Sequence, residues 1–92
     1  RSSPFIQACN MLSLCFFEKG IYKSAIKWCE RGLESPGHQE HEYLALKYDM
    51  MNAYEKMGDA GKALDLGNEI LEISIGYRDV AEKVKYLKNQ AG

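Results

Sequence analysis

The sequence predicts an all-α protein of about five helices folded back on one another as antiparallel hairpins. Three observations predict it. Apolar residues recur three to four positions apart along most of the chain. The two prolines, Pro4 and Pro36, stand where helical segments begin or end. One pattern also occurs twice, 38 residues apart: Phe16, Gly20 and Ala25 are matched by Tyr54, Gly58 and Ala63. Self-similarity at such a period marks stacked supersecondary units, because one hairpin cannot bury its apolar face alone.

The elements follow in order. Phe5, Cys9, Leu12, Phe16 and Phe17 form a first stripe, closed by Glu18-Lys19-Gly20, where Gly20 suits a left-handed cap. Tyr22, Ala25, Ile26, Cys29 and Leu33 form a second, stopped by Ser35-Pro36-Gly37. Tyr43, Leu46, Met50, Ala53, Tyr54 and Met57 form a third, ending at Gly58-Asp59. Ala63, Leu64, Leu66, Ile70, Leu71 and Ile73 form a fourth, ending near Ser74-Ile75-Gly76. A shorter fifth, Tyr77 to Asn89, uses Val80, Ala81, Val84 and Leu87 and carries Asp79 in its first turn, where a carboxylate suits the helix dipole. Ile73-Ser74-Ile75 alternates like a strand but is too short and isolated to build a sheet.

Composition excludes several classes. Ninety-two residues fit one domain. Folding buries about 60–65% of the surface such a chain exposes when unfolded, so its core must be efficient. A hydrophobic fraction of 46% serves a globular fold. Twelve basic and 13 acidic residues leave a net charge of -1, without the clustered basic face that nucleic acid rewards. Apolar runs are too short to span a membrane. Arg1-Ser2-Ser3-Pro4 leads straight into a periodic segment without a signal-peptide core, and the chain reads as a piece of a longer protein. Cys9, Cys15 and Cys29 match no zinc or CxxC spacing and read as buried free thiols, which favours a reducing compartment, the cytoplasm.

Together these residues resemble the tetratricopeptide repeat family, whose signature runs W-x2-L-G-x2-Y, then Gly, A-x3-F and Pro over about 34 residues. Cys9, Leu12, Ser13, Phe16, Gly20, Tyr22, Ala25, Cys29 and Gly32 hold those positions in the first repeat, with Pro36 one residue before the usual proline. Lys47, Met50, Met51, Tyr54, Gly58, Ala63 and Gly67 hold them in the second, with Ile70 where a small residue is usual. Lys47 replaces the tryptophan, and the second repeat lacks the proline. The resemblance implies a short right-handed solenoid: repeat one over about residues 6–37, repeat two over about 40–75, and a capping helix over about 77–89. The 38-residue offset places four extra residues in Gly37–Glu42, about one helical turn, best met by an early start of the third helix. Arg78, Glu82, Lys83, Lys85 and Lys88 give the last helix the polar outer face of a cap.

Catalytic chemistry finds little inventory. His38 and His41, three apart among Glu40 and Glu42, are the histidines present. HxxH is not the HExxH zinc arrangement, and a solvated polar turn explains it better than a metal site. Gly58-Asp59-Ala60-Gly61 reads as a hairpin turn rather than a phosphate loop, and no cofactor is expected. Phe16, Phe17, Tyr22, Trp28, Tyr43, Tyr48 and Tyr54 are expected mostly in the core.

What remains is binding. In the family, the first helix of each hairpin lines a concave surface, and its outward positions contact the ligand. Carried across by the resemblance, these are Gln7, Asn10, Leu14 and Phe17 in repeat one, and Tyr48, Asn52, Glu55 and the neighbouring Lys56 in repeat two. That mix suits a peptide or helix laid in a groove, and the expected role is a scaffold that holds another protein. The alternative is self-association, a homodimer through exposed repeat faces. The family's carboxylate clamp is not expected, because Leu14 and Asp49 fall at its positions.

Overall fold

The computed structural model describes residues 3–91. Arg1 and Ser2, part of the expected lead-in, lie outside the described residues. Among the described residues there are five helices and no strand: α1 (Pro4–Glu18), α2 (Tyr22–Glu34), α3 (Glu40–Lys56), α4 (Ala60–Ile73) and α5 (Val80–Ala91). Each packs against the next in chain order, and α1 also touches α3. None is long and apolar enough to cross a membrane.

The boundaries follow local chemistry. Ser3 caps α1 by accepting from the Ile6 amide at 3.4 Å, with Pro4 in the first turn. The two hairpin turns are copies of each other. Ile21 N–H reaches back to the Phe16 carbonyl and Asp59 N–H to the Tyr54 carbonyl, both at 2.9 Å. Gly20 and Gly58 stand at φ of 77° and 82° between them, in the left-handed cap conformation. Asp59 then caps α4 by accepting from the Lys62 amide at 3.1 Å. The extra residues between repeats are divided. Relative to the 38-residue register α3 starts early, at Glu40 rather than Glu42, and the rest lie in the connection Ser35–Gln39. Glu42 fixes that start by accepting from the Gln39 amide at 2.8 Å.

The core runs between the helices and consists of aliphatic, sulfur-bearing and small side chains. Ile6, Leu46, Met51, Ile70, Val80 and Leu87 are fully buried, as are Cys9, Cys29, Ala53 and Ala63. Two close approaches require glycine. A Cβ on Gly32 would stand 2.9 Å from Leu46 Cδ1 and 3.2 Å from Cys9 Cβ. One on Gly67 would stand 2.6 Å from Val84 Cγ2 and 3.2 Å from Met51 Sδ.

Several expectations are corrected. Phe5 and Leu12 do not face the core of this chain: Phe5 is 48% and Leu12 37% exposed, while Ile6, Cys9 and Ser13 make the inner stripe of α1. Ser13 is tolerated there because its hydroxyl lies 2.9 Å from the Cys29 sulfur. Met57, Ile73 and Ala81 are also exposed. No described aromatic ring is fully buried; Phe16, Phe17, Tyr22, Trp28, Tyr43, Tyr48 and Tyr54 are half-buried at the rims. The fifth helix begins at Val80 and not at Tyr77, since Arg78 takes a left-handed conformation (φ 41°) that interrupts it.

Cys15 is exposed, unlike Cys9 and Cys29. Burial pushes the Cys29 thiol up to about 12 and raises that of Cys9, so both stay protonated and slow to react. A thiol reagent such as DTNB is expected to titrate Cys15 within minutes and the other two only on unfolding. Fast reaction of all three would contradict this packing.

Candidate ligand groove

The first helices of the two hairpins, α1 and α3, and the terminal helix α5 are tied together by side chains on one face. Asn10 Nδ2 donates to Asp49 Oδ2 at 2.8 Å, joining α1 to α3. The Tyr48 hydroxyl donates to Asp79 Oδ1 at 2.6 Å, joining α3 to the α4–α5 turn. Lys83 Nζ pairs with Glu55 Oε1 at 2.7 Å, joining α5 to α3. At the N-terminal end the Ser3 amide donates to Glu42 Oε2 at 3.2 Å.

Depressions lie along these seams. Gln7 and Asn10 of α1 line one of about 140 Å³ with His41, Glu42 and Ala45 of α3. Leu14 and Phe17 line a smaller one of about 50 Å³ with Asp49 and Asn52. Glu55 and Lys56 line a wider one of about 490 Å³ with Lys83, Tyr86, Leu87 and Gln90. Seven of the eight residues expected to line a groove border these three depressions; Tyr48 borders none of the three, and the eight differ in availability. Gln7, Leu14 and Lys56 are exposed. Asn10, Tyr48 and Glu55 are held in the bonds above. Phe17 packs edge-on against Tyr22 with ring centroids 5.3 Å apart. Tyr48 packs edge-on against Tyr77, and the Arg78 guanidinium lies 4.7 Å from its ring centre.

The electrostatics centre on Asp49. Burial raises its carboxyl from 3.8 to about 6, against the opposing effects of the Asn10 hydrogen bond and the Arg78 charge. Beside it, the Asn52 Oδ1 is buried and meets no donor among the described residues. Sequence reasoning placed Asp49 at a clamp position but did not count it among the lining residues, and it missed the α5 side chains Lys83, Tyr86 and Gln90. Its raised carboxyl implies a pH dependence. Below pH 3.8 the acid is protonated in both folded and unfolded chains. As pH rises to about 6 the unfolded chain ionises first, so stability falls across that window and stays lower above it. Asp49→Asn is expected to stabilise the protein at pH 7.5 by about 1 kcal/mol, allowing for the solvent that still reaches the carboxylate, with the gain vanishing near pH 4. Urea melts of both proteins across pH check it; an equal gain at pH 4 would contradict the assignment.

His38 Nδ1 lies 3.1 Å from the Ser35 carbonyl and its ring stacks on Tyr43 at 5.7 Å. Among the described residues no group of three or more His, Cys, Asp or Glu side chains is arranged to hold a metal ion. Compared with protein-family models, curated proteins and solved structures, the chain matches none.

Proposed function

We propose that this chain is a non-catalytic protein–protein interaction module: two tetratricopeptide-like hairpins and a terminal helix, stacked as a short solenoid, holding a partner peptide or helix against α1, α3 and α5. The observation that carries the reading is the run of depressions between α1 and α3 and between α3 and α5, edged by exposed Gln7, Leu14 and Lys56. The two smaller depressions mix apolar side chains (Ile6, Leu46, Leu14, Phe17) with polar ones (Gln7, Asn10, Asp49, Asn52), a mix that suits an amphipathic segment. The duplicated glycine turns and the packing of each helix on the next support the repeat reading. Asp49, an acid bound to Asn10, is a poor receiver for a partner's carboxylate, which speaks against a carboxylate clamp. Cytoplasmic placement and a scaffolding role belong to the same proposal.

Selection of binders from a random peptide display library tests it. Substituting Gln7, Leu14 and Lys56 together by serine is expected to weaken selected peptides at least tenfold, while Lys27→Ser and Glu72→Ser on α2 and α4 leave them unchanged. The opposite pattern would contradict the reading.

One observation favours the alternative, a homodimer. Phe5, Met11, Leu12 and Cys15 lie exposed on α1, which carries no charge from Pro4 to Phe17. Light scattering after size exclusion separates monomer from dimer.

A further inference from the structure

The smaller α1–α3 depression has a chemistry of its own. One wall is apolar, made by Leu14 and Phe17; the other is polar, made by Asp49 and Asn52. The polar groups there with unmet capacity are acceptors, the Asp49 carboxyl and the Asn52 Oδ1. A carboxylate has about four lone-pair sites, and Asn10 takes one of those on Asp49. Asn52 Oδ1 is buried without a donor, a loss that a hydrogen-bonding ligand group would relieve.

An apolar wall facing a pair of acceptors matches a side chain with an aliphatic stem and a cationic, donor-only head, which is lysine or arginine. A carboxylate or phosphate would meet the like charge of Asp49 and an orphaned carbonyl oxygen. The volume of about 50 Å³ admits little more than a head group, since a water molecule in the liquid takes about 30 Å³. The charged and titratable groups acting on Asp49 are few. Arg78 faces it from the α4–α5 turn, stacked over Tyr48 and Tyr77, and Cys29 lies behind it on α2; Asn10 on α1 is neutral.

We infer that the Leu14–Phe17–Asp49–Asn52 depression is a subsite for a lysine or arginine side chain of the partner segment, an inference that rests on the groove reading above. A bound cation favours ionised Asp49, so binding releases a proton near pH 6 and weakens on acidification.

Three tripeptide probes test it: acetyl-Leu-Arg-Leu-amide, the same with citrulline (similar shape, no charge, a carbonyl oxygen in place of one terminal nitrogen), and the same with glutamate. Each is titrated into nitrogen-15-labelled protein at pH 7.5, following the side-chain amides of Asn10 and Asn52 and the backbone amides of Leu14 and Phe17. The arginine probe is expected to shift these signals and to bind at least fivefold tighter than the citrulline probe and tenfold tighter than the glutamate probe. Asp49→Asn, which keeps a partner for Asn10, brings the arginine probe down to the citrulline level, and Asn52→Leu weakens both. If the citrulline or glutamate probe binds the same signals equally well, the cation subsite is overturned and the groove stands. If every probe shifts only signals on α2 and α4, or none at up to 20-fold molar excess over 1 mM protein (an order-of-magnitude ceiling for weak ligands), both fall.

Discussion

Truncating Leu46 to alanine lowers the free energy of unfolding by about 2–5 kcal/mol, the range for deleting a fully buried leucine. Leu46 is completely inaccessible and stands where α1, α2 and α3 meet. It belongs to the central apolar cluster, and one of its methyl groups lies against Gly32 of α2. Removing the side chain leaves a void that helix backbones cannot close without losing the contacts on either side of it. A chain of this size has a total stability of roughly 5–14 kcal/mol, so the loss is a large fraction of it. The change should appear as a lower urea midpoint with an unchanged slope, and Leu46→Met should cost less than about 1.5 kcal/mol. A loss below about 1 kcal/mol on truncation would show that the three helices do not meet as described.

Gly67→Ala is expected to destabilise the protein by about 1–3 kcal/mol, although alanine is the better helix former by about 1 kcal/mol. The sign is decided by space. The added carbon would stand 2.6 Å from Val84 Cγ2, on a β-branched side chain with little rotamer freedom, and 3.2 Å from Met51 Sδ. Relief requires α5 to move away from α4. Gly32→Ala provides the contrast, because the nearest obstruction there is the far end of a flexible leucine, 2.9 Å away. It should cost less than Gly67→Ala. Combining Gly67→Ala with Val84→Ala should restore part of the loss, a coupling measurable by a double-mutant cycle. Additive losses would mean that the overlap is absorbed elsewhere.

The helices were readable because their signals are local. Gly20 and Gly58 are needed by the cap geometry, and Ala25 and Ala63 by the close crossing that follows, so both leave marks at fixed spacing. The facing of α1 was not readable. Phe5 through Phe17 is uncharged and apolar on several sides, so periodicity does not choose between the Phe5–Leu12 side and the Ile6–Ser13 side. Contact with α2 makes the choice, through a hydroxyl–thiol pair that no helical pattern announces. The aromatic residues misled for a related reason. Helices brought together over Gly32 and Gly67 leave room for Leu, Ile, Met and Cys but not for rings, which move to the rims. Arg78 stops the last helix from starting at Tyr77 by a left-handed turn that glycine or asparagine would have advertised and arginine does not.

The candidate groove came from the family resemblance, which names a face and not a chemistry. Helical spacing puts Gln7, Asn10, Leu14 and Phe17 on one side of α1, and Tyr48, Asn52 and Glu55 on one side of α3. What engages them comes from far along the chain: Asp49 for Asn10, Asp79 for Tyr48 and Lys83 for Glu55. Such pairs have no sequence signature, and they reduce the openly available lining to Gln7, Leu14 and Lys56.

Amide hydrogen exchange in the presence and absence of a display-selected peptide tests the central proposal most directly. The account predicts added protection in α1, α3 and α5, strongest around Leu14, Asn52 and Lys83, with α2 and α4 unchanged. Protection confined to α2 and α4, or to the Phe5–Cys15 stripe of α1 with α3 and α5 unaffected, would contradict it.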